Sequence, residues 1–225
     1  MRPLHRFKLS SFQVILLGFA AVILIGAFLL MLPLSSKEGV VTPFSDALFT
    51  STSAVCVTGL IVQDTATYWS YFGQAIILIL IQIGGLGVVT VAASVSILAG
   101  RKIGLGQRST MQEAMSAPSV GGIVRLTWFI LKGVLIVEAI GMLAMLPVFC
   151  IDYGAKGIWM AVFHSISAFC NAGFDVMGDV SGQYSSLTAY AANPIISIVI
   201  MLLIIIGGIG FLTWEDIYRH KWRIK

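Results

Sequence analysis

The residues of this sequence best placed to do chemistry would do it with their backbone. Cys-Val-Thr-Gly-Leu at 56–60 and Cys-Asn-Ala-Gly-Phe at 170–174 end two longer stretches that align without a gap. Phe-Thr-Ser-Thr-Ser-Ala-Val-Cys-Val-Thr-Gly-Leu (49–60) falls on Phe-His-Ser-Ile-Ser-Ala-Phe-Cys-Asn-Ala-Gly-Phe (163–174) at an offset of 114, a repeat long enough to mark a duplicated structural unit. Non-helical backbone at membrane depth leaves carbonyls unpaired at several kcal/mol each, and survives only inside protein or beside water. A dehydrated monovalent cation is a suitable partner for such carbonyls. Gly59 and Gly173 permit conformations closed to other residues and let the backbone approach an axis closely. A short helix ahead of each segment points a C-terminal end of about −0.5 charge toward the same place. Each unit reads as one quarter of a cation pore.

Elements able to hold such segments at membrane depth follow from composition. Of 225 residues, 58% are hydrophobic and 11% charged, far from the roughly 25% charge of soluble domains, so a soluble enzyme and a disordered chain are both excluded. The net charge of +4 is too dilute for a nucleic-acid binder. Runs at 12–32, 72–98, 123–148 and 194–212 are long enough to span a bilayer as helices, at about 20 residues per crossing. The first is too long for a signal peptide and has no small-x-small cleavage site, so it reads as a retained helix. The stretches 43–55 and 157–169 predict helices of about 13 residues, roughly 20 Å long, too short to cross. Thr42 as N-cap, Pro43 at the first helical position and Asp46 in the first turn mark the start of one of them.

Charge orients the chain. Arg2, Arg6, Lys8, Arg101, Lys102, Arg108, Arg125, Arg219, Lys221, Arg223 and Lys225 hold eleven of the fourteen basic residues and place both termini and the middle connection in the cytoplasm. The other two connections hold only Lys37 and Lys156 against six acidic residues and would face outside. The expected fold class is therefore an all-α membrane protein built of two tandem helix–pore helix–filter–helix repeats, like a potassium channel. The first pore repeat covers 1–99, a cytosolic connection 100–122, the second repeat 123–213 and a basic tail 214–225. Met31-Leu-Pro33 and Met145-Leu-Pro147 also match at offset 114, and Ile83-Gly-Gly-Leu-Gly87 matches Ile206-Gly-Gly-Ile-Gly210 at offset 123.

Competing assignments are weighed by context. Gly84, Gly85 and Gly87, with Gly207, Gly208 and Gly210, lack the strand that a phosphate loop needs, and read as close helix packing or as a bend lining the pore. The side chains of Cys56 and Cys170 read as small packing groups rather than a metal or redox pair. Cys150 carries no signal. His164 reads as a hydrogen-bonded packing residue. Lys132 can snorkel, and Glu138 reads as a polar contact between helices in preference to an ion ligand. No nucleophile, base and orienting acid assemble, so no enzyme is expected.

Ser-Ala-Val-Cys-Val-Thr-Gly-Leu (53–60), Ile-Gly-Gly-Leu-Gly (83–87), Ser-Ala-Phe-Cys-Asn-Ala-Gly-Phe (167–174) and Gly-Gly-Ile-Gly-Phe (207–211) resemble the first two of four repeats in the Trk/Ktr/HKT potassium transporters. The resemblance implies that Gly59 and Gly173 are the filter glycines. Cys56, Val57, Thr58, Cys170, Asn171 and Ala172 would then supply the remaining filter carbonyls for K+ as the transported ion, with no covalently bound cofactor. It further implies residence in the plasma (inner) membrane and a cytosolic nucleotide-binding regulatory subunit. A glycine at the position of Gly59 goes with potassium preference in the family, and a serine with sodium. Further pore repeats, from self-association or a missing C-terminal half, would complete the ring. A truncated, non-conducting assembly subunit of the same family is the alternative. A carrier of small polar solutes is disfavoured because polar groups concentrate in the two filter-like segments.

Overall fold

The computed structural model describes residues 10–99, 103–115, 117 and 122–220. Their regular structure is helical: α1 (Ser11–Met31), α2 (Phe44–Val55), α3 (Tyr71–Leu86), α4 (Val88–Leu98), α5 (Leu105–Ala114), α6 (Ile123–Tyr153), α7 (Lys156–Phe169), α8 (Gly178–Ser181), α9 (Pro194–Gly208) and α10 (Phe211–His220). Strand pairing among them is limited to the bridge between Ser36 and Trp69. Arg2, Arg6, Lys8, Arg101, Lys102, Lys221, Arg223 and Lys225 lie outside the described residues.

α1 and α6 are long and apolar enough to cross a membrane. A capping box starts α1, in which Ser10 Oγ accepts the Gln13 N–H and Gln13 Oε1 accepts the Ser10 N–H. Large apolar side chains such as Leu17, Phe28, Ile136 and Leu143 stand exposed on the two helices, as lipid-facing surfaces do.

The runs 72–98 and 194–212 are not the straight spans the sequence predicts. The chain bends by 97° between α3 and α4 and by 91° between α9 and α10. The bends occur at Gly87 (φ +82°) and Gly210 (φ +91°), 123 residues apart. A residue in that region cannot continue a right-handed helix, and glycine enters it without a Cβ penalty. α3 and α9 are thus pieces of 16 and 15 residues.

The duplication is visible in paired contacts. Ser51 Oγ donates to the carbonyl of Ile23, and Ser165 Oγ to that of Glu138, each at 2.7 Å. A Cβ on Gly26 would strike Ser51 and Leu80, and one on Gly141 would strike Ser165 and Leu203. These pairs put α1 and α6 at an offset of 115, one residue away from the Met-Leu-Pro match. That match does not superpose in structure: Pro33 lies in a 3-10 turn after α1 has ended, whereas Pro147 lies inside α6, which continues to Tyr153.

α2 begins one residue later than predicted, with Pro43 as N-cap. Thr42 is buried, and its Oγ1 accepts from the Tyr68 hydroxyl at 3.1 Å. The middle connection contains α5, whose Met111 is buried and which encloses, with α1 and α4, a cavity of about 240 Å3. The segment read as a tail is helical through α10. Trp214 Nε1 donates to the Ile206 carbonyl at 3.0 Å, and the Tyr218 ring packs 5.2 Å from that of Phe129 in α6.

Candidate ion filter

α2 and α7 end alike. The N–H groups of Val57 and Thr58 return to the carbonyls of Ala54 and Ser53, and those of Asn171 and Ala172 to Ala168 and Ser167. Each is a Schellman closure, which requires a left-handed residue just past the helix. Val57 (φ +49°) and Asn171 (φ +58°) supply it, and Gly59 (φ +75°) and Gly173 (φ +72°) turn the chain again two residues later. Asparagine tolerates this region, whereas a β-branched valine is strained there.

With their N–H groups folded back, these segments keep their oxygens free. Among the described residues no hydrogen bond ends on the carbonyl of Cys56, Val57, Thr58, Gly59, Cys170, Asn171, Ala172 or Gly173. Side chains fix the ends of each segment: Thr58 Oγ1 donates to Ser53 Oγ at 2.9 Å, and Ser167 Oγ to the Phe174 carbonyl at 2.6 Å. The two segments touch. A Cβ on Gly59 would lie 2.6 Å from the Ala172 carbonyl oxygen, and one on Gly173 would lie 3.6 Å from the Gly59 Cα.

The glycine clusters divide the two tasks left open by sequence. Gly84 and Gly207 let α3 and α9 rest on the backbone carbonyls of Val55 and Phe169, at the ends of α2 and α7. Gly87 and Gly210 make the bends. Gly85 packs on the Cys170 side chain of the second repeat, whereas its counterpart Gly208 meets only Asn171 Nδ2 at 3.9 Å. Cys170 is accordingly buried and Cys56 exposed. Gly84, Gly85 and Gly87 also border a cavity of about 320 Å3, closed on other sides by Met115, Ile130 and Phe211.

Several positioning residues escape sequence reading. Gln82 Nε2 donates to Glu138 Oε1 at 2.9 Å, while Gln82 Oε1 accepts from Cys170 Sγ at 3.7 Å. Glu138 is therefore a contact between helices, as expected, and the second of two glutamines in the otherwise apolar α3 was the available signal for its partner. Trp159 Nε1 donates to Gln74 Oε1 at 2.7 Å. The buried Asp64 accepts from Thr67 and from the N–H of Tyr184, tying the two post-filter connections together. Asp179 accepts from Lys37 and Lys156 at 2.9 Å each. Partial burial alone would raise its carboxyl, but the two ammonium groups outweigh that and hold it below the usual carboxylate range. His164 is a packing residue: Nδ1 lies 2.8 Å from the Met160 carbonyl, and Nε2 accepts the Val176 N–H at 3.5 Å. Lys132 lies over the Trp128 ring, 5.5 Å from its centroid. No group of three metal-ligating side chains occurs among the described residues.

The strain at Val57 is testable. Val57→Asn, which copies the second repeat, should stabilise the folded chain by about 1 kcal/mol, because a left-handed residue other than glycine or asparagine costs roughly 1–2 kcal/mol. Thermal unfolding in detergent measures it. An unchanged or lower midpoint would show that Val57 is not strained.

Residues 8–223 match the family model TrkH, described as cation transport protein. The chain is 44% identical over 226 residues to the potassium/sodium uptake protein NtpJ of Enterococcus hirae, covering all of this chain and 49% of that protein. It is 42% identical to the Ktr system potassium uptake protein B of Bacillus subtilis, over 93% of this chain and 45% of the relative. The Vibrio alginolyticus protein of the same description is 38% identical, over 94% and 45%. The chain thus spans about half the length of the curated relatives it matches.

Proposed function

We propose that this chain, which belongs to the TrkH family of cation transport proteins, forms two of the four walls of a membrane pathway that passes potassium down its electrochemical gradient. The observation that carries this reading is the pair of matched turns whose eight carbonyls, four consecutive ones in each turn, accept no hydrogen bond from the described residues. Hydrocarbon cannot satisfy such oxygens, whereas a partly dehydrated cation can. The names of the relatives agree on the class of ion: all three describe uptake of potassium, and one adds sodium.

The cavity beside Gly84, Gly85 and Gly87 serves as the cytoplasmic vestibule in this reading. The membrane is the plasma membrane, both termini face the cytosol, and the connections bearing Lys37 and Lys156 face outside. The connection 100–122, which includes α5, lies on the side where a nucleotide-binding regulatory subunit would dock. Further pore repeats close the ring, since an ion held by two repeats has carbonyls on one side only.

Rubidium uptake into liposomes holding the purified chain tests the proposal. Uptake against a potassium-loaded interior, suppressed by external potassium more than by sodium, is expected. Assembled protein that carries no rubidium would favour the non-conducting assembly role. In a background without native cysteines, cysteines at 37 and 156 should react with an impermeant reagent from outside, and one at 108 only after permeabilisation. External reaction at 108 would invert the orientation.

A further inference from the structure

The cavity of about 240 Å3 between α1, α4 and α5 serves neither the filter nor the bends. Its lining is mostly apolar, with Val14, Val88, Ala93 and Met111, and turns polar along α5 at Gln107 and Thr110. The duplication explains why space is left there. An offset of 115 places Val14 and Gly18 of α1 on Phe129 and Gly133 of α6. In the second repeat that side of α6 is covered by the repeat's own α10. The Trp214 ring lies 3.0 Å from where a Cβ on Gly133 would stand, and Tyr218 packs on Phe129. In the first repeat the covering helix is α4, which has no aromatic side chain. The cavity thus lies on a side that each repeat covers for itself. It cannot close by drawing α4 inward, because a Cβ on Gly18 would already lie 3.2 Å from Val88 Cγ1. Thr110 Oγ1 donates to Ser11 Oγ at 3.4 Å and holds α5 against the start of α1.

Water is a poor occupant, since an apolar cavity of even about 150 Å3 stays dry and takes up hydrocarbon instead. The polar edge says what the hydrocarbon is attached to. Arg108 Nε donates to the carbonyl of Ile103, a lining residue, at 3.2 Å, which fixes the guanidinium at the edge of the cavity. Among the described residues Arg108 has no salt bridge. Gln107 uses its Oε1 to accept the Gly104 N–H, and its Nε2 donates to no described residue. A guanidinium fork beside an amide N–H2 suits phosphate oxygens. Val14 and Gly18 stand in the first two turns of α1, within about 10 Å of its start, the depth at which acyl chains meet headgroups. We propose that the cavity binds an anionic phospholipid of the cytoplasmic leaflet, one acyl chain between α1 and α4 and its phosphate at Arg108 and Gln107. Val88 and Val89 border both this cavity and the one of about 320 Å3 beside Gly87, so the lipid packs on a wall that the two share. The leaflet follows from the proposed orientation, but the binding does not. External reaction of a cysteine at 108 would move the lipid to the outer leaflet without emptying the cavity.

Native mass spectrometry of the purified chain, given equal amounts of phosphatidylglycerol and phosphatidylcholine with the same acyl chains, provides the test. Phosphatidylglycerol should be retained about fivefold or more over phosphatidylcholine, the equivalent of roughly 1 kcal/mol for one basic residue near anionic lipid. Arg108→Gln should bring the two lipids level. Arg125→Gln, which removes an exposed positive charge at the start of α6, should leave the preference intact. Val14→Phe, which copies Phe129 of the second repeat, combined with Ala92→Phe on the facing wall, should cost the chain its retention of both lipids. Glycerol phosphate, which has the headgroup chemistry without a chain, should not displace the lipid; this arm needs no variant and stands even where the filled cavity prevents folding. Equal retention of the two lipids by the unaltered chain overturns the proposal, as does a preference that survives Arg108→Gln or falls equally with Arg125→Gln. Undiminished retention by the folded Val14→Phe, Ala92→Phe chain, or displacement by glycerol phosphate, shows that no acyl chain occupies the cavity and overturns it too.

Discussion

In the proposed filter, replacing Gly59 by serine should lower the preference for potassium over sodium by about tenfold or more, whereas the same change at Gly173 should leave most of it intact. Both glycines are left-handed, at φ +75° and +72°, so both substitutions carry a conformational cost of about 1–2 kcal/mol. They differ in what a Cβ meets. At Gly59 it lies 2.6 Å from the Ala172 carbonyl oxygen, closer than real Cβ contacts come; at Gly173 the nearest atom is the Gly59 Cα, at an ordinary 3.6 Å. The serine at 59 therefore displaces a proposed ion-coordinating oxygen of the neighbouring repeat, and a displacement that shifts relative ion affinity by about 1.4 kcal/mol already accounts for the tenfold effect. Inhibition of rubidium uptake by sodium, measured for both variants, reads the outcome. Equal shifts at the two positions, or none at either, would remove Gly59 from the ion path.

The second large effect is on folding. Gly84→Ala and Gly207→Ala should each destabilise the chain by about 3 kcal/mol, the upper part of the range for forced overpacking. The added methyl would overlap the main-chain carbonyl of Val55 or Phe169, and a helix end cannot swing aside as a side chain can. Gly106→Ala is the control. It lies inside α5 with nothing within 4 Å of its Cβ position, and there alanine should stabilise by about 0.5–1 kcal/mol. Folded yield on size-exclusion chromatography and thermal midpoints in detergent compare the three. Loss of stability at Gly106, or none at Gly84, would contradict the packing described.

The contrast between these glycines shows what was legible beforehand. The duplicated turns and the short helices before them were readable because a gapless match constrains local backbone twice over. A bend was one of two readings of the glycine clusters, but that Gly87 and Gly210 make it was not legible, since a positive-φ glycine within an apolar run has the same letters around it as a packing glycine. The Met-Leu-Pro match misled for the opposite reason: identical residues fell one position out of structural register because α6 continues through Pro147 where α1 stops short of Pro33. Gln82, Gln74 and Asp64 act across the two repeats, and a pairing between distant segments leaves no periodic trace in either. Cys56 and Cys170 read identically in sequence and differ because Gly85 and Gln82 of the first repeat pack on Cys170.

The lengths of α3 and α9 also bear on how voltage acts on the ion. At about 1.5 Å per residue the two helices run for roughly 24 and 22 Å, short of the ~30 Å hydrocarbon thickness. Below them the chain turns aside and leaves a cavity of about 320 Å3 beside the bend. A membrane potential falls across dry, low-dielectric material and hardly at all across water. In the proposed reading, water in that cavity would concentrate the field on the filter residues. Of the roughly 2.3 kcal/mol that 100 mV supplies to a monovalent ion, most would then be released over the few ångströms of the proposed filter, between Cys56 and Gly59 and their counterparts, so that the bent helices would act as an electrical lens.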